Sequence, residues 1–174
     1  MIDPVVSVSL RGLLALLFVV AGWHKLSDTE RFAAMLRAYR LMPDSLARPL
    51  ALGLPLAEIV VGALLVLPWT TAGAIGGGAL LALYSLAISV NLMRGRRAID
   101  CGCFGSASNV RLSGALLLRN AILIIAMGAA ACPLSARRLV WLDAFTVGMV
   151  MLAVATLWVA LWRLHETSVS EGNT

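Results

Sequence analysis

The segment that decides the fold is residues 50–67, LALGLPLAEIVVGALLVL, in which Glu58 is the one charged side chain. An α-helix of this length rises about 27 Å, which is enough to cross the hydrocarbon layer of a bilayer. A carboxylate near the middle of such a helix is costly in lipid, so we expect Glu58 to face the interior of a bundle. The segment therefore predicts a membrane-spanning helix that carries a buried charge.

Four more apolar stretches of similar length surround this segment. With 60% apolar and 13% charged residues in 174, and a mean hydropathy of +0.91, the chain lies outside the composition of soluble domains. We predict an all-α integral membrane bundle of four to five transmembrane helices, forming a single membrane domain over 1–164 with a polar, disordered tail over 165–174. The predicted spans cover about 5–23, 50–67, 72–93, 112–132 and 140–162.

Residues 28–41, between the first two spans, predict an amphipathic helix. Apolar side chains recur there at helical spacing, and arginines lie on or near the opposite face. Such a helix either lies in the lipid headgroup layer or docks on the bundle, and both placements stay open. Pro43 and Pro49 are expected to break the chain before the second span. The apolar positions are Phe32, Met35, Leu36 and Tyr39, and the arginines are Arg31, Arg37 and Arg40.

The net charge of +5 is distributed unevenly over the connections. The charges form short clusters between apolar runs without a basic motif, which argues against nucleic-acid binding. With five spans, ten Lys and Arg residues fall on one side of the membrane and only Arg137 and Arg138 in connections on the other. The positive-inside rule then predicts that the N-terminus is outside, and that residues 28–41 and the loop after Met93 are cytoplasmic.

The most distinctive motif is Asp100-Cys101-Gly102-Cys103-Phe104-Gly105, in the loop before the fourth span. Nearby arginines favour thiolates, and a disulfide between residues two apart closes a strained ring of the exchangeable kind. We favour a redox pair over a structural turn or half of a metal site. A complete zinc site is not expected, because the loop has no His or further Cys, and no cofactor motif is evident.

Several other polar residues are candidates for function or for buried pairing. We expect Glu58 to pair with Arg119, with Arg11 as the competing partner, and either a structural clamp or a proton-handling role is open to it. His24, at the end of the first span, lies on the same side as the cysteine pair and is a candidate activator of a thiol. Cys132 follows a span of about 30 Å after that loop, so direct exchange with Cys101 is not expected.

These residues resemble the DoxX-like membrane proteins, and specifically the family of methylamine utilisation protein MauE. The resemblance covers most of the chain, and the Cys-Gly-Cys-Phe-Gly element is its most specific part. The pattern Ala21-Gly22-x-x-Lys25-Leu26 recurs across the wider DoxX-like group. The other positions that carry the resemblance are Phe18, Phe32, Tyr39 and Glu58.

The resemblance implies a small protein of the bacterial inner membrane, required for maturation of the disulfide-rich β-subunit of methylamine dehydrogenase. It also implies a thioredoxin-like partner, MauD, and thiol-disulfide chemistry at Cys101 and Cys103. The charge pattern places that pair in the cytoplasm, although the implied client is periplasmic. The alternatives are a small transporter, which would need to assemble as a homo-oligomer, and a non-catalytic membrane scaffold.

Overall fold

The computed structural model describes residues 3–95 and 114–132, together with positions 141, 143, 145–150, 152, 153 and 156. Every regular element with stated bounds in these residues is an α-helix. The predicted fifth span and the tail lie largely outside the described residues, and the positions described within that span are helical. The helices are α1 (Pro4–Ser27), α2 (Thr29–Tyr39), α3 (Asp44–Val66), α4 (Thr70–Met93) and α5 (Gly114–Ala131).

Four of these helices, α1, α3, α4 and α5, are long and apolar enough to cross a membrane. The prediction of an all-α membrane bundle is therefore confirmed. The expectation that Pro49 breaks the chain is wrong, because α3 begins directly after Pro43 and contains both Pro49 and Pro55. Membrane helices tolerate such prolines because neighbouring helices and local adjustments satisfy the carbonyls that lose their partners.

The chain divides into two compact units, one of residues 10–132 and one of residues 1–9 with 133–174. Within the unit of residues 10–132, α1, α3, α4 and α5 share one apolar core. Because lipid tails are as apolar as these side chains, this core stabilises the bundle through close van der Waals packing and not through exclusion of water. The larger buried side chains of the core are Leu14, Phe18, Val61, Leu65, Leu81 and Met127.

The amphipathic segment forms α2, which docks on α3. Asp28 caps its first turn by accepting a hydrogen bond from the backbone N–H of Arg31 at 3.1 Å. Phe32 and Leu36 are buried in a cluster with Ala47 and Ala51 of α3. Of the two placements that the sequence leaves open, the structure therefore has the helix packed on protein.

Arg11 of α1 caps the last turn of α5. Its Nε and Nη2 donate to the carbonyl oxygen of Ala130 at 3.1 and 3.0 Å. Carbonyls in the last turn of a helix have no N–H donor within it, and a cation there also interacts favourably with the helix dipole. Arg11 is thus used in holding α1 to α5.

Candidate functional site: a buried Lys-Glu-Tyr cluster

Three polar side chains from three helices meet inside the bundle. Lys25 of α1 donates a hydrogen bond from Nζ to Oε1 of Glu58 in α3. The hydroxyl of Tyr84 in α4 donates to the same oxygen at 2.6 Å. Lys25 is 6% exposed and Glu58 2% exposed, so the ion pair is shielded from the surroundings. This arrangement is the buried charge that the sequence predicts, although its cation comes from an unexpected residue.

Gly22 allows α1 to approach α3 closely enough for this pair to form. A Cβ at Gly22 would lie 2.8 Å from the carbonyl oxygen of Pro55 and 2.9 Å from Cγ1 of Ile59. Gly22 and Lys25 are three residues apart and so lie on one face of α1, as Pro55, Glu58 and Ile59 do on α3. The glycine therefore brings the backbones together one turn before the lysine reaches the carboxylate.

Aromatic rings complete the surroundings of the ammonium group. Nζ of Lys25 lies 4.8 Å from the ring centre of Tyr84 and 5.5 Å from that of Phe32 in α2. Both distances are in the range of cation–π attraction. Oε2 of Glu58 is buried and has no hydrogen-bond partner in the part of the chain that the structure describes. Because Lys25 and Tyr84 share the other oxygen, the geometry favours a clamp that holds α1, α3 and α4 together.

The expected pairing of Glu58 with Arg119 is wrong. Nη2 of Arg119 donates to Oδ1 of Asn120 at 3.3 Å, and Nδ2 of Asn120 donates to Oγ of Ser85 at 3.2 Å. The reason lies in α3, which begins fourteen residues before Glu58, or about 21 Å at 1.5 Å per residue. The last turn of α1 therefore meets the middle of α3. Lys25 is buried there, although its place at the end of a helix suggests a charge at the membrane surface.

The other predicted charges do not join this cluster. The competing pairing of Glu58 with Arg11 is also wrong, because Arg11 donates to Ala130. His24 is exposed, although Lys25 beside it is buried. In the described ranges, no group of three or more His, Cys, Asp and Glu is placed to hold a metal ion.

Cys101 and Cys103 lie outside the described residues, as does most of the loop that contains them. Cys132 is described and has a free, partly exposed thiol that donates to the carbonyl oxygen of Gly128 at 3.5 Å. It directly follows α5, whose 18 residues span about 27 Å from Gly114, where the loop ends. Cys132 therefore lies at the opposite end of α5 from Gly114.

Sequence reasoning missed Lys25 and Tyr84 as members of the site. The signal for Lys25 is its spacing from Gly22, since a small residue and a cation three positions apart share a helix face. Tyr84 is the one tyrosine within the four spans that the structure describes, at a depth where a hydroxyl needs a partner. Neither signal identifies a residue of the site until the packing of the helices is known.

The described residues include four membrane-length helices. A buried ion pair and the tyrosine bonded to it join three of these helices. These features define a small multi-pass membrane protein. A family model described as methylamine utilisation protein MauE matches residues 3–134, which include α1 to α5 and the Cys-Gly-Cys loop. The chain belongs to this family.

Curated relatives agree with this assignment. Methylamine utilization protein MauE of Paracoccus versutus is 44% identical over 137 residues, covering 78% of this chain and 74% of the relative. The protein of the same name in Paracoccus denitrificans is 41% identical over 124 residues, covering 71% and 67%. That of Methylorubrum extorquens is 45% identical over 125 residues, with the same coverage. No solved structure is significantly similar.

Proposed function

We propose that this chain is an inner-membrane protein that matures the β-subunit of methylamine dehydrogenase by thiol-disulfide exchange at Cys101 and Cys103. The observation that carries the proposal is the Asp-Cys-Gly-Cys-Phe-Gly element in a chain of the MauE family. The relatives are named for methylamine utilisation, and a pair of thiols suits a client whose folding depends on disulfides. The partner in exchange is the thioredoxin-like protein MauD.

The exchange proceeds in two steps through a mixed disulfide. The thiolate of one cysteine attacks a sulfur of the partner's disulfide, and the displaced sulfur leaves as a thiolate. The second cysteine then attacks the mixed disulfide, which closes the Cys101–Cys103 bridge and frees the partner as a dithiol. Two electrons and two protons pass to the partner, and the reverse sequence returns them. Because the ring through Gly102 is strained, the bridge is readily reopened.

The test of the chemistry is substitution of the cysteines one at a time. Cys101→Ser and Cys103→Ser are each expected to abolish accumulation of disulfide-bonded β-subunit in cells that grow on another carbon source in the presence of methylamine. Cys132→Ser is the matched control, since this thiol lies at the far end of α5, and it should leave maturation intact. A double Ser variant that still matures the client would overturn the redox proposal and leave a scaffold that docks its partners.

The side of the membrane that holds the pair decides how it meets its client. We would label Cys101 and Cys103 in intact cells with an impermeant thiol reagent, before and after mild reduction, in the Cys132→Ser background. Labelling that appears only after reduction supports an oxidised pair outside and direct exchange with an exported client. Labelling only in opened membranes would place the pair inside, as the positive-inside rule predicts, and would overturn direct exchange.

A further inference from the structure

A cavity of about 480 Å³ lies beside the buried ion pair, within the unit of residues 10–132. Its walls come from α2, the first half of α3 and the second half of α4, with Lys25 of α1 in the lining. Among the residues that the structure describes, Lys25, Tyr39 and Tyr84 contribute polar groups to the lining, and the other lining side chains are apolar. This volume is in the range of sites that bind small molecules.

The apolar wall of the cavity reaches the outside of the bundle along α4. Leu83 and Leu86 both line the cavity, yet they are 49% and 62% exposed, whereas Phe32 and Leu36 on the α2 wall are buried. Because α4 is a membrane-length helix, side chains exposed at this position contact acyl chains. An occupant therefore enters from the hydrocarbon layer and must be largely apolar.

The ion pair determines which head group suits the polar end. The ammonium of Lys25 has three donors, and in the described part of the chain Glu58 is the one acceptor recorded for it. An anionic head would bring a second negative charge beside the buried carboxylate of Glu58, which is unfavourable where the dielectric constant is low. A neutral acceptor such as a carbonyl oxygen adds a hydrogen bond without adding charge.

We propose that this cavity binds a neutral, bilayer-soluble molecule whose apolar body lies along α2 and α4 and whose carbonyl oxygen accepts a hydrogen bond from Lys25. Two classes of membrane component share this chemistry, the lipid-soluble quinones and the uncharged acyl esters. The inference concerns binding alone and does not depend on the cysteine chemistry of the proposed function.

The head-group preference is tested on the full chain in lipid nanodiscs with four probes of similar length. These are a decyl-substituted benzoquinone, methyl decanoate, sodium decanoate and dodecane. At least one of the two neutral carbonyl probes should raise the Tm and bind tenfold or more tightly than decanoate and dodecane, because a ligand stabilises the state that binds it. Preference for the quinone or for the ester identifies the source. Equal binding of all four, or of none, would overturn the proposal.

The location is tested with a cavity-filling variant and a matched control on the same helix. Ala87→Phe places a ring in the cavity while retaining Lys25 and Glu58, so binding of the preferred probe should fall tenfold or more. Ile75→Phe adds a ring at a position that is 69% exposed and outside the lining, and should leave the affinity unchanged. If Ala87→Phe does not fold, Leu83→Trp at the cavity opening replaces it. Unchanged affinity in the folded variant would refute this location.

The hydrogen bond is tested with the double variant Lys25→Met and Glu58→Gln, which removes both charges together. This variant should keep the cavity but lose the distinction between the neutral carbonyl probe and dodecane. Retention of a tenfold preference in the folded double variant would show that Lys25 is not the donor.

Discussion

Glu58 lies among apolar side chains in α3, where an uncompensated carboxylate would be costly. Lys25 and Tyr84 both donate to one of its oxygens, and the two residues of the ion pair are almost fully shielded. Such a pair contributes little net stability over well-packed apolar residues, because desolvation offsets the attraction. Its energetic importance emerges when one partner is removed and the other is left charged and buried.

Glu58→Gln is therefore expected to lower the free energy of unfolding by about 3–5 kcal/mol, because Lys25 loses its counter-ion in a buried position. Chemical unfolding in detergent, followed by circular dichroism, measures the change. The matched control is Glu30→Gln, which breaks the ion pair with Arg48. Because Arg48 is 75% exposed and Glu30 70% exposed, this variant should lower the free energy of unfolding by less than about 1 kcal/mol. Similar losses in both variants would contradict the clamp.

Replacing both residues of the ion pair with apolar residues tests whether stability requires the charges themselves. Lys25→Met with Glu58→Leu removes both charges, so it should recover most of the stability that Glu58→Gln loses. A double variant as unstable as the single one would show that packing around the pair, and not its charge, limits stability.

The sequence predicted that Glu58 is buried and paired, but it assigned the wrong cation. Any carboxylate within the membrane is costly to expose to lipid, so the burial of Glu58 can be predicted from hydropathy alone. The partner depends on how far each helix extends past its neighbour, which hydropathy does not encode. Arg119 lies deep within an apolar span, whereas Lys25 stands next to polar residues at the end of α1 and suggests an interfacial charge.

At the scale of elements, the approach of α1 to α3 depends on small residues at the contact. A methyl group at Gly22 would meet the backbone carbonyl of Pro55, which is part of a helix and has little freedom to yield. The Gly22 and Lys25 pattern therefore determines how α1 and α3 pack. It sets the distance between two helices and, one turn later, places the cation.

Gly22→Ala is expected to lower stability by about 1–3 kcal/mol, because overpacking forces α1 away from α3 and weakens the ion pair. Gly53→Ala provides the comparison within α3, since a Cβ there meets nothing within 4 Å. That variant should be neutral or more stable by up to about 1 kcal/mol, because alanine favours the helix. Thermal unfolding of both variants in the same detergent tests the contrast, and equal Tm values would contradict close contact at Gly22.

The docking of α2 shows where sequence periodicity stops being informative. The spacing of Phe32, Leu36 and Tyr39 predicts a helix with one apolar face, and the structure contains that helix. Lipid and protein both accept an apolar face, so periodicity does not distinguish them. The choice depends on Ala47 and Ala51, small side chains on α3 that leave room for the larger ones of α2.

At the scale of the whole molecule, large apolar side chains are exposed on every membrane-length helix. They include Ile75 of α4 at 69% and Ile122 and Ile125 of α5 at 57% and 73%. A soluble protein seldom leaves such a surface open, whereas a bilayer covers it. Composition was sufficient to predict this class of protein, because the apolar fraction exceeds what the interior of one domain can hold.

Ile122→Lys, in the middle of α5, is expected to raise the free energy of membrane insertion by about 3–4 kcal/mol, because lysine is unfavourable there and the isoleucine that it replaces is favourable. A translocation assay measures this effect as the fraction of α5 that inserts into the membrane. Glycosylation tags before and after α5 report on which side of the membrane each end lies. Ile122→Leu keeps the side chain apolar and should insert like the natural sequence. Equal insertion of the two variants would contradict the expected cost of a charge at this position.

The family and the candidate redox motif were accessible from sequence because they depend on residue identity and short spacing. The buried cluster and the cavity beside it were not, because they require the docking of α1 to α4. Long-range placement is therefore the part of the site that only the structure supplies.

The hydrogen bond from Nη1 of Arg94 to the carbonyl oxygen of Arg40, at 3.2 Å, joins the end of α4 to the end of α2. Cys101 follows Gly95 by six residues and Cys103 by eight, so a fully extended chain carries their Cα atoms at most about 22 and 29 Å from the Cα atom of Gly95, which directly follows that anchor. A domain of about 100 residues has a radius of gyration of about 13 Å, which corresponds to a sphere roughly 34 Å across. If the pair exchanges disulfides with a thioredoxin-sized partner, as we propose, that partner must lie close against the bilayer to reach either sulfur, which favours a partner that is itself tethered to the membrane.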